Sequence, residues 1–410
     1  MSSNEKSLEL SSRPAAEAYV ASVCFKLGPP QLIGAELEFL THTADGDRPS
    51  LAHLAIALGE YAPRSISPDS PASPLPGGSA VTVEPGGQIE LSSSPYASVR
   101  ELQDALDADA RFVDVLLGAH SVTLSSVPAD ADRAAHRLLV LPRYCAMENR
   151  FTTIGPYGKL MMCNTAAAQI SVDAGADRAD VTSRWRMLET IGPAFVAAFA
   201  CSPKLHGAPD DGWASQRMRT WLELDGSRTD VPSTGDPISD YARWALDVPL
   251  LCIRGDTENW EAPEGMSFAE WIADESRIGR RPTVADLEYH LTTLFPHVRA
   301  CGHLEVRYLD AQPDNQWVVP AAAFDALLSN PDVVESAYRS ALDTSGRWID
   351  AARYGLADAE FRRVAEDLLR LAAENSTDHA ESLFLAAERC RRGDIPTSST
   401  TRPSTDREPV

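Results

Sequence analysis

Four short stretches of this 410-residue chain set carboxylates on one side of an alternating strand. In IGAELEF (33–39), Ile33, Ala35, Leu37 and Phe39 alternate with Glu36 and Glu38. In VTVEPGG (81–87), Val81 and Val83 oppose Thr82 and Glu84, and in QIELSSS (88–94), Ile89 and Leu91 oppose Gln88 and Glu90. In HLEVRYLD (303–310), Leu304, Val306 and Tyr308 oppose His303, Glu305 and Arg307. A period of two marks a half-buried strand. Carboxylates gathered on one face repel, and their desolvation is costly unless a cation holds them together. Glu36, Glu38, Glu84, Glu90 and Glu305 therefore predict two or three divalent metals, and hard oxygen donors favour Mg²⁺ or Mn²⁺. The competing reading is four solvated outer faces, since exposed Glu is common. Against it, Lys is absent from all four stretches, and Gly and Gln stand beside the acids.

Arginine supplies the second half of the constellation. Arg307 shares a face with Glu305, Arg217 and Arg219 lie in SQRMRTW (215–221), and Arg143 opens RYCAMENRF (143–151). A guanidinium fork clamps a carboxylate or a phosphate at two points, although any one of these could be a surface ion pair. The usual nucleotide loops, GxxxxGK[ST] and GxGxxG after a strand, are missing. GPYGKL (155–160), with Lys159, reads as a turn. HExxH and GxSxG are also absent, which disfavours a zinc peptidase or a serine hydrolase. A carboxylate sheet can hold ATP without a P-loop if Mg²⁺ bridges its phosphates to the acids.

These residues need elements to carry them. Helical spacing is expected over 14–26, 98–118, 181–201 and 283–297, and from 320 to 392 almost throughout. Residues 63–79 read as a Pro/Ser-rich loop leading into a hairpin over 80–94, with Pro85-Gly86-Gly87 at its turn. Residues 161–173 read as a strand with Ala167, Gln169, Ser171 and Asp173 on one face. The polar segments 1–12 and 393–410 are expected to be disordered, leaving one catalytic domain over 13–392.

With 37 basic and 59 acidic residues, the net charge is −22. That disfavours nucleic acid and anionic membranes as partners, because both are polyanions. Nothing in the sequence points to an obligate protein partner. Seven scattered cysteines without a CxxC pair read as reduced thiols of a cytoplasmic protein. The N-terminus lacks the apolar core of a signal peptide, and no apolar run is long enough to span a bilayer.

The segments GAELEF, VEPGGQIELSSSP, RYCAMENRF, GKLMMCNTAAAQISVDAG, SQRMRTW, YARWALDVPL, GMSFAEWI, LEYHLTTLFPHVR and HLEVRYLDAQP, in this order and spacing, resemble glutamate–cysteine ligases of the plant-like branch. They look most like the actinobacterial members that supply γ-glutamylcysteine for ergothioneine synthesis. The resemblance runs from about residue 30 to about 330. It implies an α+β fold: an antiparallel sheet curved around a cleft, akin to glutamine synthetase, with helices outside and a helical C-terminal region. It implies ATP, L-glutamate and L-cysteine as substrates. It assigns Glu36, Glu38, Glu84, Glu90 and Glu305 to the metals. Glu36, Glu84, Gln88 and Arg307 fall to the nucleotide, and Arg143, Tyr144, Thr165, Gln169, Asp173 and Arg217 to the amino-acid substrates. It makes Arg307, Arg217 and Asp173 the catalytic candidates. An acyl phosphate must be shielded from water, and 63–79 and 202–240, rich in Gly, Pro and Asp, are the candidate lids. Asn164 stands where plant enzymes carry Arg, and Ser171 where they carry Asn. Two other readings remain: a ligase of the same fold using another amine, and a non-enzymatic nucleotide or amino-acid binder.

Overall fold

The computed structural model describes residues 8–398. Its centre is a sheet of seven strands: β1 (Ile33–Thr43), β2 (Ala80–Val83), β3 (Ile89–Ser92), β4 (Val122–Ser125), β5 (Ala167–Val172), β6 (Val298–Ala300) and β7 (Leu304–Asp310). The order is β2-β3-β1-β5-β7-β6, every pairing is antiparallel, and β4 pairs with the far half of β1. Open antiparallel sheets can keep one polar face, and the alternation in each strand requires it here. The expected α+β arrangement, an antiparallel sheet with helices outside and a helical C-terminal region, is the observed one.

The apolar halves of the strands form one buried face with Ile33, Ala35, Leu37, Ile89, Leu91, Ile170, Val172, Leu304 and Val306. Helices Val99–Gly118, Arg178–Phe199 and Val318–Leu327 pack against β1, β7 and β5 respectively. One contiguous core runs from Leu10 to Cys390.

Register brings the polar residues together. Glu38 stands opposite Glu90, Glu36 opposite Gln169, and Ser171 opposite Glu305. Between Ala168 and Ile170 the β5–β7 register shifts, so Gln169 faces two residues of β7, Arg307 and Tyr308. Such a bulge re-aims side chains. Arg307 stays on the polar face, while Tyr308 and Leu309 both enter the core.

Several expectations are corrected. Residues 161–164 are not strand: Tyr157–Asn164 is a helix, and Thr165 closes it by donating its hydroxyl to the Met161 carbonyl at 2.8 Å. The alternation that suggested a strand holds only from Ala167 onward. In 283–297 the helix stops at Leu291. Residues 8–12 are ordered: Leu10 is buried, its N–H donates to Pro282 O at 2.8 Å, and Leu8 O accepts from Val284 N at 3.0 Å. The Leu8/Leu10 alternation was too short a signal to separate from a polar tail. At the other end, Thr397 O accepts from Gln316 at 2.8 Å and Ser398 bonds Asp314, so 393–398 lies along the protein. Residues 1–7 and 399–410 of the expected tails lie outside the described residues. The stretch 202–240 is not a loose lid, because Gln216–Leu222 is a buried helix.

Candidate active site

On the polar face, a cavity of about 250 Å³ is floored by Glu36, Glu38 and Glu90 and walled by Glu84 at the β2–β3 turn. Gln169 ties the floor together. Its Nε2 lies 3.2 Å from Glu36 Oε2, 3.3 Å from Glu38 Oε1 and 3.5 Å from Glu90 Oε2. Glu38 also accepts from Ala167 N at 2.8 Å, and Glu90 from Thr82 Oγ1 at 2.7 Å. The β2–β3 turn closes tightly: Gly87 has φ +89, and a Cβ on Gly86 would lie 2.3 Å from Cys163 O. Only glycine allows that approach.

The electrostatics of the acids follow from burial and crowding. Burial, then the neighbouring Glu90 and Glu305, raises the Glu36 carboxyl from 4.5 to about 8. Burial and Glu38 raise Glu90 to about 7. Glu38 and Glu84 are raised as well, by burial above all. Glu305 goes the other way: burial pushes it up, but Arg299 and Arg307 together outweigh burial and hold it below 4.5.

The cations stand across the same cavity. Arg307 Nη1 is 3.3 Å from Glu305 Oε1, close enough for an ion pair but outside hydrogen-bond geometry. Among the described residues, Arg307 Nε and Nη1 have no hydrogen-bond partner, nor does Gln169 Oε1, although all three are buried. Buried polar atoms left open, two donors and one acceptor here, are rare and point to a ligand. The guanidinium lies over the Trp221 ring, 5.1 Å from its centroid. Arg217 is fully buried and donates to Arg307 O at 2.9 Å. Its helix is capped by Ser215, which donates its hydroxyl to Asp310 at 2.7 Å. Asp310 also accepts from Ser202 at 2.7 Å, and Ser202 in turn receives the Arg217 N–H at 3.2 Å.

Of the residues read from sequence, Arg143, Tyr144, Thr165 and Gln88 also border this cavity. Arg143 is held by Thr292, at 2.7 Å to Oγ1 and 2.8 Å to its carbonyl. Gln88 Nε2 donates to Thr165 O at 2.9 Å, leaving its Oε1 without a partner. Asp173 stands apart. β5 ends at Val172, and the Asp173 carboxylate accepts from Gln31 N and Leu32 N, both at 2.9 Å. It borders a neighbouring cavity of about 330 Å³ with Ser171 and His303. Asn164 is buried outside the site, bonded to Arg48 at 2.6 Å, and Lys159 pairs with Glu148 at 2.7 Å. The sequence reading missed Arg299 and Trp221. Arg299 stands on the polar side of a three-residue strand too short to show a period, and Trp221 reads as core unless the arginines above it are known.

The residues fit divalent metal. Four buried carboxylates with raised pKa lack sufficient opposing charge, and all donors in the set are oxygen. The family follows from comparison. Residues 32–391 match the model of glutamate-cysteine ligase family 2 (GCS2). The chain belongs to this family. Its relatives include glutamate–cysteine ligase EgtA of Mycolicibacterium smegmatis, 37% identical over 391 residues, covering 91% of this chain and 87% of that one. EgtA of Mycobacterium tuberculosis is 36% identical over 378 residues, covering 89% and 84%. The chloroplastic glutamate–cysteine ligase of Brassica juncea is 28% identical over 319 residues, covering 73% and 61%. Among the described residues, no helix is long and apolar enough to cross a membrane.

Proposed function

We propose that this GCS2-family chain joins the γ-carboxylate of L-glutamate to the amine of L-cysteine, consuming ATP and giving γ-glutamylcysteine, ADP and phosphate. The observation that carries the reading is the single cavity in which Glu36, Glu38, Glu84 and Glu90 face the open N–H groups of Arg307 and the buried guanidinium of Arg217. The names of the EgtA relatives support the substrates. The resemblance to that branch supports a role in ergothioneine synthesis, and the scattered, unpaired cysteines support a cytoplasmic setting.

The glutamate γ-carboxylate attacks the terminal phosphorus of ATP, ADP leaves, and γ-glutamyl phosphate forms. The cysteine amine then attacks the acyl carbon and releases phosphate. Glu36, Glu38, Glu84, Glu90 and Glu305 would hold Mg²⁺ or Mn²⁺, which when bound supplies positive charge opposite the phosphate oxygens. The protein does the rest by position. Arg307, fixed between Trp221 and Glu305, presents open N–H groups to a transferring phosphoryl group. Arg217 adds a second cation that cannot swing away, being buried and bonded to Arg307 O. Gln169 sets the directions of three carboxylates at once.

Glutamate labelled with oxygen-18 in its γ-carboxylate tests the mechanism. One label should appear in the released phosphate when cysteine is present, because the bridging oxygen leaves with phosphorus. Unlabelled phosphate would mean that the carboxylate is never phosphorylated. Phosphate release across a panel of amines decides between cysteine and another acceptor, and its absence with every amine returns the reading of a pure binder.

A further inference from the structure

The β6–β7 hairpin carries two donors that the ligation steps do not use, Cys301 and His303, beside one that they do, Glu305. Cys301, His303 and Glu305 present Sγ, an imidazole nitrogen and a carboxylate oxygen within 4.8 Å of one another. Cys301 Sγ is 3.3 Å from His303 Nε2 and 3.7 Å from Glu305 Oε2. Tetrahedral zinc, with bonds of about 2.3 Å to sulfur and about 2.0 Å to nitrogen or oxygen, separates such donors by about 3.5 Å. The turn is built to hold them on one side. Gly302 takes φ +94, Cys301 N donates to His303 O at 3.0 Å, and Gly302 N is anchored to Cys24 O at 2.8 Å.

We propose that Cys301, His303 and Glu305 form a site for a thiophilic divalent cation of the zinc class, which shares Glu305 with the all-oxygen site beside it. Sulfur and imidazole select such an ion over Mg²⁺. Cys301 is exposed, and His303 borders the cavity of about 330 Å³, so the ion has an entry path and water completes the coordination. On binding, the Cys301 thiol gives its proton to solvent and its sulfur bonds the metal. Glu305 belongs to both sites. An ion on Oε2 displaces the Arg299 guanidinium, which donates to that oxygen at 2.7 Å, and turns Glu305 away from Arg307. Occupancy therefore inhibits ligation, a consequence that rests on the function proposed above.

The site is tested by titrating the full-length, metal-free protein with Co²⁺. A thiolate-to-cobalt charge-transfer band should appear, and Zn²⁺ should abolish it by displacement. Cys301→Ser should lose the band, and His303→Ala should weaken binding by about tenfold or more. In the wild-type chain, Zn²⁺ should protect Cys301 from iodoacetamide, read peptide by peptide by mass spectrometry. A band that persists in Cys301→Ser, or alkylation of Cys301 that Zn²⁺ leaves unchanged, would overturn the site. The alkylation needs no variant, and none of these readouts needs turnover, so they stand or fall apart from the ligase reading. With free Zn²⁺ fixed by a metal buffer, ligation by the wild type should fall while Cys301→Ser resists. Equal inhibition of both would refute the link through Glu305.

Discussion

Arg299 and Glu305 stand directly opposite each other across the β6–β7 ladder, and Arg299 Nη2 donates to Glu305 Oε2 at 2.7 Å. The carboxylate is buried, and this pair with Arg307 holds its pKa below the usual carboxylate value, while burial and crowding raise Glu36 and Glu90. The relationship sets one acid with its counter-charge in place apart from four whose pKa is raised.

Removing the arginine should therefore cost more than removing both partners. Arg299→Met leaves a buried carboxylate without its main counter-charge, a change of about 3–5 kcal/mol in comparable pairs. The double variant Arg299→Met/Glu305→Gln should recover at least about 1 kcal/mol of that loss in a double-mutant cycle read by urea unfolding. Strict additivity would show that the pair is not coupled.

The raised acids fix a pH dependence. A carboxyl whose folded pKa exceeds its unfolded value contributes most to stability below the unfolded value, and loses that contribution as pH rises through the folded one. For Glu36 and Glu90 the window runs from 4.5 up to about 8 and about 7. The metal-free protein should lose melting temperature across that window. Mg²⁺ binding must release the same protons, so its stabilising shift should grow from pH 6 to pH 9. Thermal unfolding in EDTA and in Mg²⁺ checks this, and a shift independent of pH would contradict it.

Arg307→Lys keeps the charge and loses the fork. The ring contact with Trp221 and two of the open donors go with it. We expect kcat to fall by about 10²-fold or more, with a smaller change in the KM for ATP. A kcat within about twofold of wild type would remove Arg307 from the chemistry.

Four of the five acids were legible in sequence because period-2 alternation survives around them in β1, β3 and β7; Glu84 lies one residue past β2, at the turn. Glu36, Glu38, Glu90 and Glu305 needed only that pattern to be placed on one face. Pairing was not legible: Glu38 against Glu90 and Glu36 against Gln169 are register facts, and register comes from contacts distant in sequence. The β-bulge opposite Gln169 had no local mark. Asp173 was misgrouped because alternation was carried one residue past the end of β5, where the chain turns to cap Gln31 and Leu32. Arg299 was hidden because β6 has three residues.

Gln169 gives the sharpest separation of roles. Its neutral side chain lies within hydrogen-bond reach of Glu36, Glu38 and Glu90 together. Gln169→Ala removes that common donor and opens the floor under the amino-acid substrates. The KM for glutamate should rise by about tenfold or more while ATP affinity changes little, because the acids and arginines of the other strands remain. Gln169→Glu keeps the shape and adds a sixth carboxylate to the five of this crowded, buried set. In EDTA it should melt below wild type, since like charges at this spacing disfavour ionisation of all of them. Saturating Mg²⁺ should recover most of the difference, because added cations answer added acids. If Gln169→Glu melts as wild type does in EDTA, the four glutamates do not repel across Gln169. If both variants keep the wild-type KM for glutamate, Gln169 does not border the substrate.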